Sequence, residues 1–387
     1  MCYGKYAFIG LVLSALACGC RHAAVNQAGP RAPKGPAAVM PVLEEVAFIR
    51  KYQPTGIAVS REGRVFLSFP RWDGEHLYSV GELLPDLTLK AFPDKKWNAW
   101  DEKTDARERF VCVQSVYVDK SDFLWVLDAG APNFGPVVEN GPKLVKIAVG
   151  NNRVAGTVYF DQSVAPKGSY LNDVRVDAAG ECAYITDSGL GAIIVVDLKD
   201  GRKRRLLAKN HSVRAQAGYV PKINGKEWRE SNGDIPQINA DGIALSPDGR
   251  YLYYHALTAR ALYRIRTDVL KDPSLSPLIL DTKVEYVADT GAADGMEMDG
   301  HGNLYLAAVA KNAVIRLRPD GKIETLVAGA QVRWPDSISI AGDGHLYFTA
   351  SQVDLMPRFN NGVSKRTEPY RIFRVKLPEL NEPPEGE

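Results

Sequence analysis

The chain has 387 residues, of which 24% are charged and 45% hydrophobic, with 34 Gly and 24 Pro. This composition excludes collagen, coiled coils and disordered-tail proteins. The 48 Lys and Arg side chains nearly balance the 46 Asp and Glu side chains, and a net charge of +2 gives no basis for a nucleic-acid partner. Length alone favours two or three domains, unless internal repeats merge the chain into one.

The first twenty residues have the features of an export signal. Lys5 precedes the apolar run AFIGLVLSAL, which is too short to span a membrane and is followed by small residues. A lipoprotein signal would place a lipid on Cys18 or Cys20, whereas an ordinary signal peptide would simply be removed. Residues 21–41, rich in Pro, Ala and Gly, are expected to form a tether. We therefore predict an exported protein, either a periplasmic or cell-surface lipoprotein or a secreted protein, with no membrane contact beyond an N-terminal lipid.

Two cysteines, Cys112 and Cys182, lie in the body of the chain. Two cysteines do not make a disulfide framework. They either pair in an oxidising compartment or remain buried thiols.

One pattern recurs six times: a polar pair, an alternating apolar strand, a turn containing Gly or Asp, and a second strand rich in Leu, Tyr and Phe. Such turns between alternating strands are the strongest short-range signal of a β-hairpin. The polar pairs begin 42 to 69 residues apart, at Thr55, Gln114, Asn172, Asp241, Asp294 and Asp336.

Further strands follow these hairpins and complete a larger repeat. Third strands are KLVKIAV, AIIVVDL, ALYRIRT, AVIRLRP and RIFRVKL, with a weaker one near Leu77-Tyr78, and fourth strands include VAGTVYF and IETLVAG. A four-stranded sheet repeated at this period is a propeller blade. We predict an all-β, six-bladed β-propeller over residues 42–380, closed by the N-terminal strand VLEEVAFIR, with a tail over 381–387.

The innermost strand of each blade lines the central channel of a propeller, so the six polar pairs are expected to ring one mouth. Unpaired carboxylates there would repel one another. One interpretation is structural, with these groups accepting backbone N–H bonds, and Thr55 fits it best. The other is a site for a substrate or a hard cation.

The functional interpretation assigns roles to the ring and its neighbours. Asp241 and Asp294 are candidate catalytic acids or bases, and Asn172 and Asp241 are candidate metal ligands. The candidate substrate-binding residues are Gln114, Asn172, Asp336, Tyr170 and Trp334. The long segment 211–240, with Tyr219 and Trp228, either covers the mouth or packs its own aromatic rings on the surface.

Other common sites are absent from the sequence. The six histidines show no pair at metal-ligand spacing, which argues against zinc. The chain has no GxSxG elbow, no P-loop and no GxGxxG after a strand, which argues against the corresponding hydrolase, nucleotide and dinucleotide chemistry.

Several collinear phrases stand out along the chain: PRWDGEHLYSV, VYVDKSDFLWVLDAG, AYITDSGLGAIIVVDL, DGIALSPDGRYLYYHALTARALYRI and RWPDSISIAGDGHLYF. Together they resemble the Yellow/major royal jelly protein family, and in particular its bacterial members related to dopachrome tautomerases. The resemblance implies a six-bladed propeller, secretion, and either dopachrome conversion or binding of biogenic amines. Insect members carry a cysteine pair where this chain has Ser121 and the region near Pro142, so the resemblance does not extend to that disulfide.

A more distant resemblance is to the calcium-dependent gluconolactonases of the regucalcin type. These place Glu, Asn and Asp at inner-strand starts around a divalent metal, and Asn172 and Asp241 match two of the three. Thr55 stands where the Glu is expected, and Asp294 or Asp336 would have to substitute for it.

Three functions follow from the sequence. The first is an isomerase that moves a proton on a small aromatic or quinone-like molecule, the second a non-catalytic binder of aromatic amines, and the third a lactonase that uses Ca²⁺ or another divalent cation. Each takes a small-molecule ligand and is expected to act as a monomer. Whether the chain is an enzyme is left open by the sequence.

Overall fold

The computed structural model describes residues 41–378. The predicted signal peptide, its lipidation cysteines Cys18 and Cys20, almost all of the tether and the tail 381–387 lie outside these residues. The strands, in chain order, are β1 (Leu43–Ile49), β2 (Ile57–Val59), β3 (Val65–Ser68), β4 (Val80–Leu83), β5 (Leu89–Ala91), β6 (Val113–Val118), β7 (Phe123–Asp128), β8 (Lys143–Ala148), β9 (Arg153–Tyr159), β10 (Leu171–Val176), β11 (Cys182–Asp187), β12 (Ala192–Asp197), β13 (Lys203–Leu206), β14 (Lys222–Ile223), β15 (Lys226–Glu227), β16 (Ala240–Leu245), β17 (Tyr251–Ala256), β18 (Ala261–Arg266), β19 (Glu285–Asp289), β20 (Met296–Met298), β21 (Leu304–Ala308), β22 (Ala313–Leu317), β23 (Ile323–Ala328), β24 (Pro335–Ile340), β25 (His345–Ala350) and β26 (Tyr370–Lys376).

Residues 41–378 form six four-stranded antiparallel sheets and one small two-stranded sheet, β14–β15. The four-stranded sheets are β2–β5, β6–β9, β10–β13, β16–β19, β20–β23, and the sheet of β24, β25, β26 and β1. The first strands of neighbouring sheets contact one another in a closed cycle, β2–β6–β10–β16–β20–β24 and back to β2. The predicted six-bladed propeller is therefore confirmed.

The ring is closed by a strand from the start of the described chain. β1 pairs antiparallel with β26, from Leu43 opposite Val375 to Ile49 opposite Tyr370. Ala47 and Ile49 are buried in the core of this last blade, where they pack with Ile372. The prediction that VLEEVAFIR supplies the missing strand is confirmed, and pairing removes the open edge that β26 would otherwise present.

One strand begins slightly later than predicted. The third strand of the first blade is β4, over Val80–Leu83, which starts two residues after the predicted Leu77-Tyr78. Leu77 is 55% exposed, whereas Val80 is fully buried and belongs to the same hydrophobic cluster as Phe66. The apolar pair Leu77-Tyr78 suggested a strand by its composition, but the segment that forms the strand is the one whose side chains are buried.

Few helices interrupt the sheets. They are short: α1 (Lys95–Asn98), α2 (Thr267–Lys271) and α3 (Pro277–Asp281). None of the helices within residues 41–378 has the length and apolar character needed to cross a membrane. Cys112 and Cys182 are both buried free thiols.

Candidate functional site

Most of the polar pairs lie where the hydrogen-bonded pairing of the inner strand with its neighbour is irregular. The register between first and second strands shifts at Val113/Ser115, Leu171/Val174, Ala240/Ile243 and Pro335/Ile338. These shifts bracket Gln114, Asn172, Asp241 and Asp336. A β-bulge redirects a side chain and releases its backbone from the ladder, so these four residues are freed from regular pairing.

Hydroxyl groups of the neighbouring blades accommodate the freed backbone. Ser68 Oγ donates to the Gln114 carbonyl (2.9 Å), and Thr186 Oγ1 donates to the Asp241 carbonyl (2.6 Å). Thr349 Oγ1 donates in the same way to the Thr55 carbonyl (2.6 Å). Each bond links the second strand of one blade to the polar pair of the next blade. Contacts between neighbouring blades therefore hold the backbone of these polar residues in place.

All seven residues predicted for the site line one cavity of about 250 Å³ at the channel mouth. They are Gln114, Tyr170, Asn172, Asp241, Asp294, Trp334 and Asp336. Thr55 does not line it: its side chain is fully buried and lies 3.3 Å from both Ser68 Oγ and the Gln114 carbonyl. The structural interpretation of Thr55 agrees with this placement, and the chemical roles of the other seven remain predictions.

Three carboxyl groups form an acidic cluster, consisting of Asp241, Asp294 and Asp336. All three are buried, and burial raises the pKa of each above its ordinary value because a charge is poorly solvated there. Charge repulsion among them adds to the rise for Asp241 and Asp336. The pKa of Asp294 is raised only to about 6. The cluster thus holds protons at a pH where ordinary aspartates are ionised.

Asp294 is the most acidic member of the cluster, and the bond from Trp334 is the largest contribution that lowers its pKa. Trp334 Nε1 donates to Asp294 Oδ2 (2.8 Å), which favours the ionised form and opposes the effect of burial on its pKa. Trp334 is fully buried with φ of 52°, a left-handed conformation that costs a bulky residue about 1–3 kcal/mol. The surrounding fold therefore holds the Trp334 indole against the Asp294 carboxylate in spite of this conformational cost.

Aromatic rings form two walls around the cavity. On one side Phe134 packs between Trp72 and Tyr170, with ring centroids 5.1 and 5.6 Å apart. On the other side Trp228 packs between Trp334 and Phe359, at 4.9 and 4.8 Å. These six rings all line the cavity and make its walls largely apolar.

Arg358 links the two walls at the rim. Its guanidinium lies 4.8 Å from the Phe134 ring and 5.3 Å from the Phe359 ring, and it pairs with Glu230 (2.6 Å). Glu230 belongs to the long segment 211–240, which also brings Trp228 into the wall. The segment therefore covers part of the mouth, whereas its Tyr219 lies against Arg260 and does not line the cavity.

Sequence reasoning missed Trp72, Phe134, Arg358 and Phe359. The last three lie in short 3₁₀ turns, Pro132–Phe134 and Pro357–Phe359, between strands of the second and sixth blades. The one available signal was an aromatic residue two positions after a Pro in a connection between strands, which is too common to mark a site.

Residues 41–378 contain no group of three or more His, Cys, Asp or Glu side chains placed to hold one metal ion. The cavity does offer oxygen donors of the type calcium prefers, including the predicted ligands Asn172 and Asp241. However, the buried aspartates have raised pKa values, and Asp294 already accepts the indole N–H. A divalent cation here would require the ionised forms of these carboxyl groups, and no step of the isomerisation proposed below depends on one.

The family model described as "Major royal jelly protein" matches residues 111–383. Among curated relatives, Apis mellifera major royal jelly protein 7 is 26% identical over 264 residues, covering 65% of this chain and 54% of that protein. Apis mellifera major royal jelly protein 6 is 24% identical over 234 residues, covering 58% and 50%. The chain thus spans about half the length of these relatives. A 6-deoxy-6-sulfogluconolactonase from Pseudomonas putida is 29% identical over 123 residues, covering 31% and 40%.

Solved structures with the same fold include two of the regucalcin and gluconolactonase type. A gluconolactonase from Xanthomonas campestris superposes with a TM-score of 0.52 at 13% identity, covering 87% of this chain and 89% of that one. A calcium-binding regucalcin from Agrobacterium tumefaciens gives a TM-score of 0.51 at 14% identity, covering 86% and 95%. At such identities the likeness concerns the fold.

Proposed function

The chain belongs to the major royal jelly protein family, and from this premise we propose that it isomerises a small aromatic or quinone-like molecule at the channel mouth by carboxylate acid–base chemistry. The observation that carries the proposal is the acidic cluster, in which Asp294 ionises near pH 6 while the neighbouring Asp241 holds its proton to higher pH. Neighbouring carboxyls in different protonation states supply a base and an acid together.

The proposed reaction is a tautomerisation of the dopachrome type. The ionised Asp294 takes a proton from carbon as the C–H bond breaks, and the protonated Asp241 gives its proton to the carbonyl oxygen as the O–H bond forms. Proton exchange between the two carboxyl groups, which lie in hydrogen-bonding contact, restores the starting state. No oxidant, reductant or cofactor is required, because substrate and product are isomers.

The other polar residues of the cavity hold the substrate in this proposal. Gln114 and Asn172 supply amide groups for a carbonyl or hydroxyl oxygen, and Asp336 supplies a third carboxyl group beside the reacting pair. The aromatic walls exclude water from the ring of the substrate and orient it.

The test is the rate of dopachrome conversion above its spontaneous background at pH 7. We expect Asp294→Asn to lower kcat by a factor of about 100 or more, since a positioned base contributes roughly 10²–10⁴-fold. Asp343→Asn is the matched control, because Asp343 lies in a hairpin turn outside the cavity. Equal rates for the wild type and Asp294→Asn would refute the assignment, as would a wild-type rate no faster than the background.

Non-catalytic binding of aromatic amines is a second candidate. It is favoured by the combination of acidic cluster and aromatic walls, in which an ammonium group would neutralise the carboxylates while the ring of the amine packs against those walls. Calorimetric titration with tyramine separates the candidates: saturable binding without any conversion of dopachrome supports the binder.

A lactonase dependent on calcium or another divalent cation is a third candidate. Its support is the fold shared with gluconolactonases and the partial match to the Pseudomonas putida enzyme. Hydrolysis of an aldonolactone that a chelator abolishes and added Ca²⁺ restores would establish it, with Asn172 and Asp241 as the first ligands to replace.

Export is proposed on the basis of the N-terminal signal features, with lipidation at Cys18 or Cys20 as one form of it. Mass spectrometry of the mature N-terminus distinguishes a lipidated cysteine from a plain cleavage.

A further inference from the structure

Three side chains at the cavity wall form a directed chain of hydrogen bonds. Trp72 Nε1 donates to the Tyr170 hydroxyl oxygen (2.6 Å), and that hydroxyl donates to Gln114 Oε1 (3.0 Å). An indole N–H only donates, so the Tyr170 oxygen must accept from Trp72 and its own proton is left for another partner. Because Trp72 can only donate to Tyr170, the Tyr170 hydroxyl is free to donate to Gln114.

The only competing partner of the Tyr170 hydroxyl among residues 41–378 is a weak one. Cys112 Sγ lies 3.6 Å away, and burial raises the pKa of this thiol to about 12, so it stays protonated. A neutral sulfur is a poorer acceptor than an amide oxygen. The Tyr170 proton accordingly goes to Gln114, whose Oε1 is then engaged within the wall.

The opposite end of the same amide faces the ligand. Gln114 lines the cavity, and no group within residues 41–378 accepts a hydrogen bond from its Nε2. Turning the amide over would direct its N–H groups at a Tyr170 oxygen that already accepts from Trp72. Tyr170 and Trp72 are thus positioning residues that fix which end of Gln114 is available.

We propose that Gln114 presents N–H donors, and not its carbonyl, to the ligand, so that the cavity selects an aromatic molecule with an acceptor oxygen at one end and a cationic or proton-exchanging group directed at the acidic cluster. The proposal deepens the function proposed above and rests on it for the ligand class. Between the donors and the acids, the two aromatic walls take the ring.

Calorimetry with three amines tests the ligand side. Tyramine and 4-methoxyphenethylamine carry a para oxygen that accepts hydrogen bonds, and phenethylamine carries none. We expect the wild type to bind the first two about tenfold more tightly, as a single good hydrogen bond allows. Tyr170→Phe is expected to abolish most of this difference, measured as the ratio of the affinities for 4-methoxyphenethylamine and phenethylamine within each variant. Equal wild-type affinities for 4-methoxyphenethylamine and phenethylamine would overturn the proposal, and so would a Tyr170→Phe loss that is the same for all three amines.

A second measurement needs no ligand and separates the two proposals. In a ¹⁵N-edited NMR spectrum of the full chain, the Gln114 side-chain amide is identified by its absence from Gln114→Met. Both of its protons are expected to exchange rapidly with solvent in the free protein. Slow exchange of one proton would show that Gln114 donates to Tyr170 and would overturn the proposal. If no amine binds but both protons exchange rapidly, the orientation of Gln114 stands and the ligand class proposed for the cavity fails.

Discussion

At the scale of the residue, Trp334 decides which aspartate of the acidic cluster ionises first. Its indole N–H makes the largest hydrogen-bond contribution that opposes the effect of burial on the pKa of that carboxyl, ahead of the bonds from Asp241 and the Gly295 backbone. Trp334→Phe keeps an aromatic ring but removes the donor, so the pKa of Asp294 is expected to rise further. The midpoint of the pH–rate profile should then shift upward from about 6, by roughly one unit if the bond is worth about 1.4 kcal/mol.

The matched control is Trp125→Phe. Trp125 is also buried and donates its indole N–H to a carboxylate, Asp119 Oδ2 (2.7 Å), but it does not line the cavity. This variant is expected to lose stability without any change in the pH–rate midpoint. A midpoint that moves equally in both variants would mean that Trp334 acts through general packing.

At the scale of the element, the inner strands of neighbouring blades lie so close together that there is no room for a side chain between them. A Cβ at Gly242 would overlap the carbonyl oxygen of Asp294 in the next blade. Gly242→Ala is therefore expected to destabilise the protein by about 2–4 kcal/mol in urea denaturation, since both blades must move apart. Gly156→Ala, on an outer strand with open space around it, should change the stability by about 1 kcal/mol or less. Comparable losses in both would show that the inner strands tolerate separation.

The repeat could be predicted from sequence because each blade satisfies local rules: alternating strands, turn residues and a polar pair at a fixed place. The polar half of the site follows from it, since Gln114, Asn172 and Asp241 start equivalent strands. The aromatic half does not, because Phe134 and Phe359 lie in connections whose paths are set by packing between blades. The hydroxyl of Thr186 that fixes Asp241 is likewise invisible without the neighbouring blade.

At the scale of the whole molecule, closure of the ring by β1 couples the start of the propeller to its last blade. Ile49 is buried within that blade, whereas its neighbour Phe48 is 45% exposed. Ile49→Asp is expected to lower the free energy of unfolding by about 3 kcal/mol or more, because an unpaired carboxyl would be buried. Phe48→Asp should cost about 1 kcal/mol or less in the same urea titration. A mild effect of Ile49→Asp would show that the ring does not depend on β1.

The central claim is that an acidic cluster in a mixed protonation state performs proton transfer at the channel mouth. The most direct test is the pH dependence of dopachrome conversion by the wild type, from pH 4 to 9. The predicted profile rises with a midpoint near pH 6, as Asp294 ionises, and falls at higher pH as Asp241 loses its proton. A rate above background that is independent of pH across this range would contradict the claim.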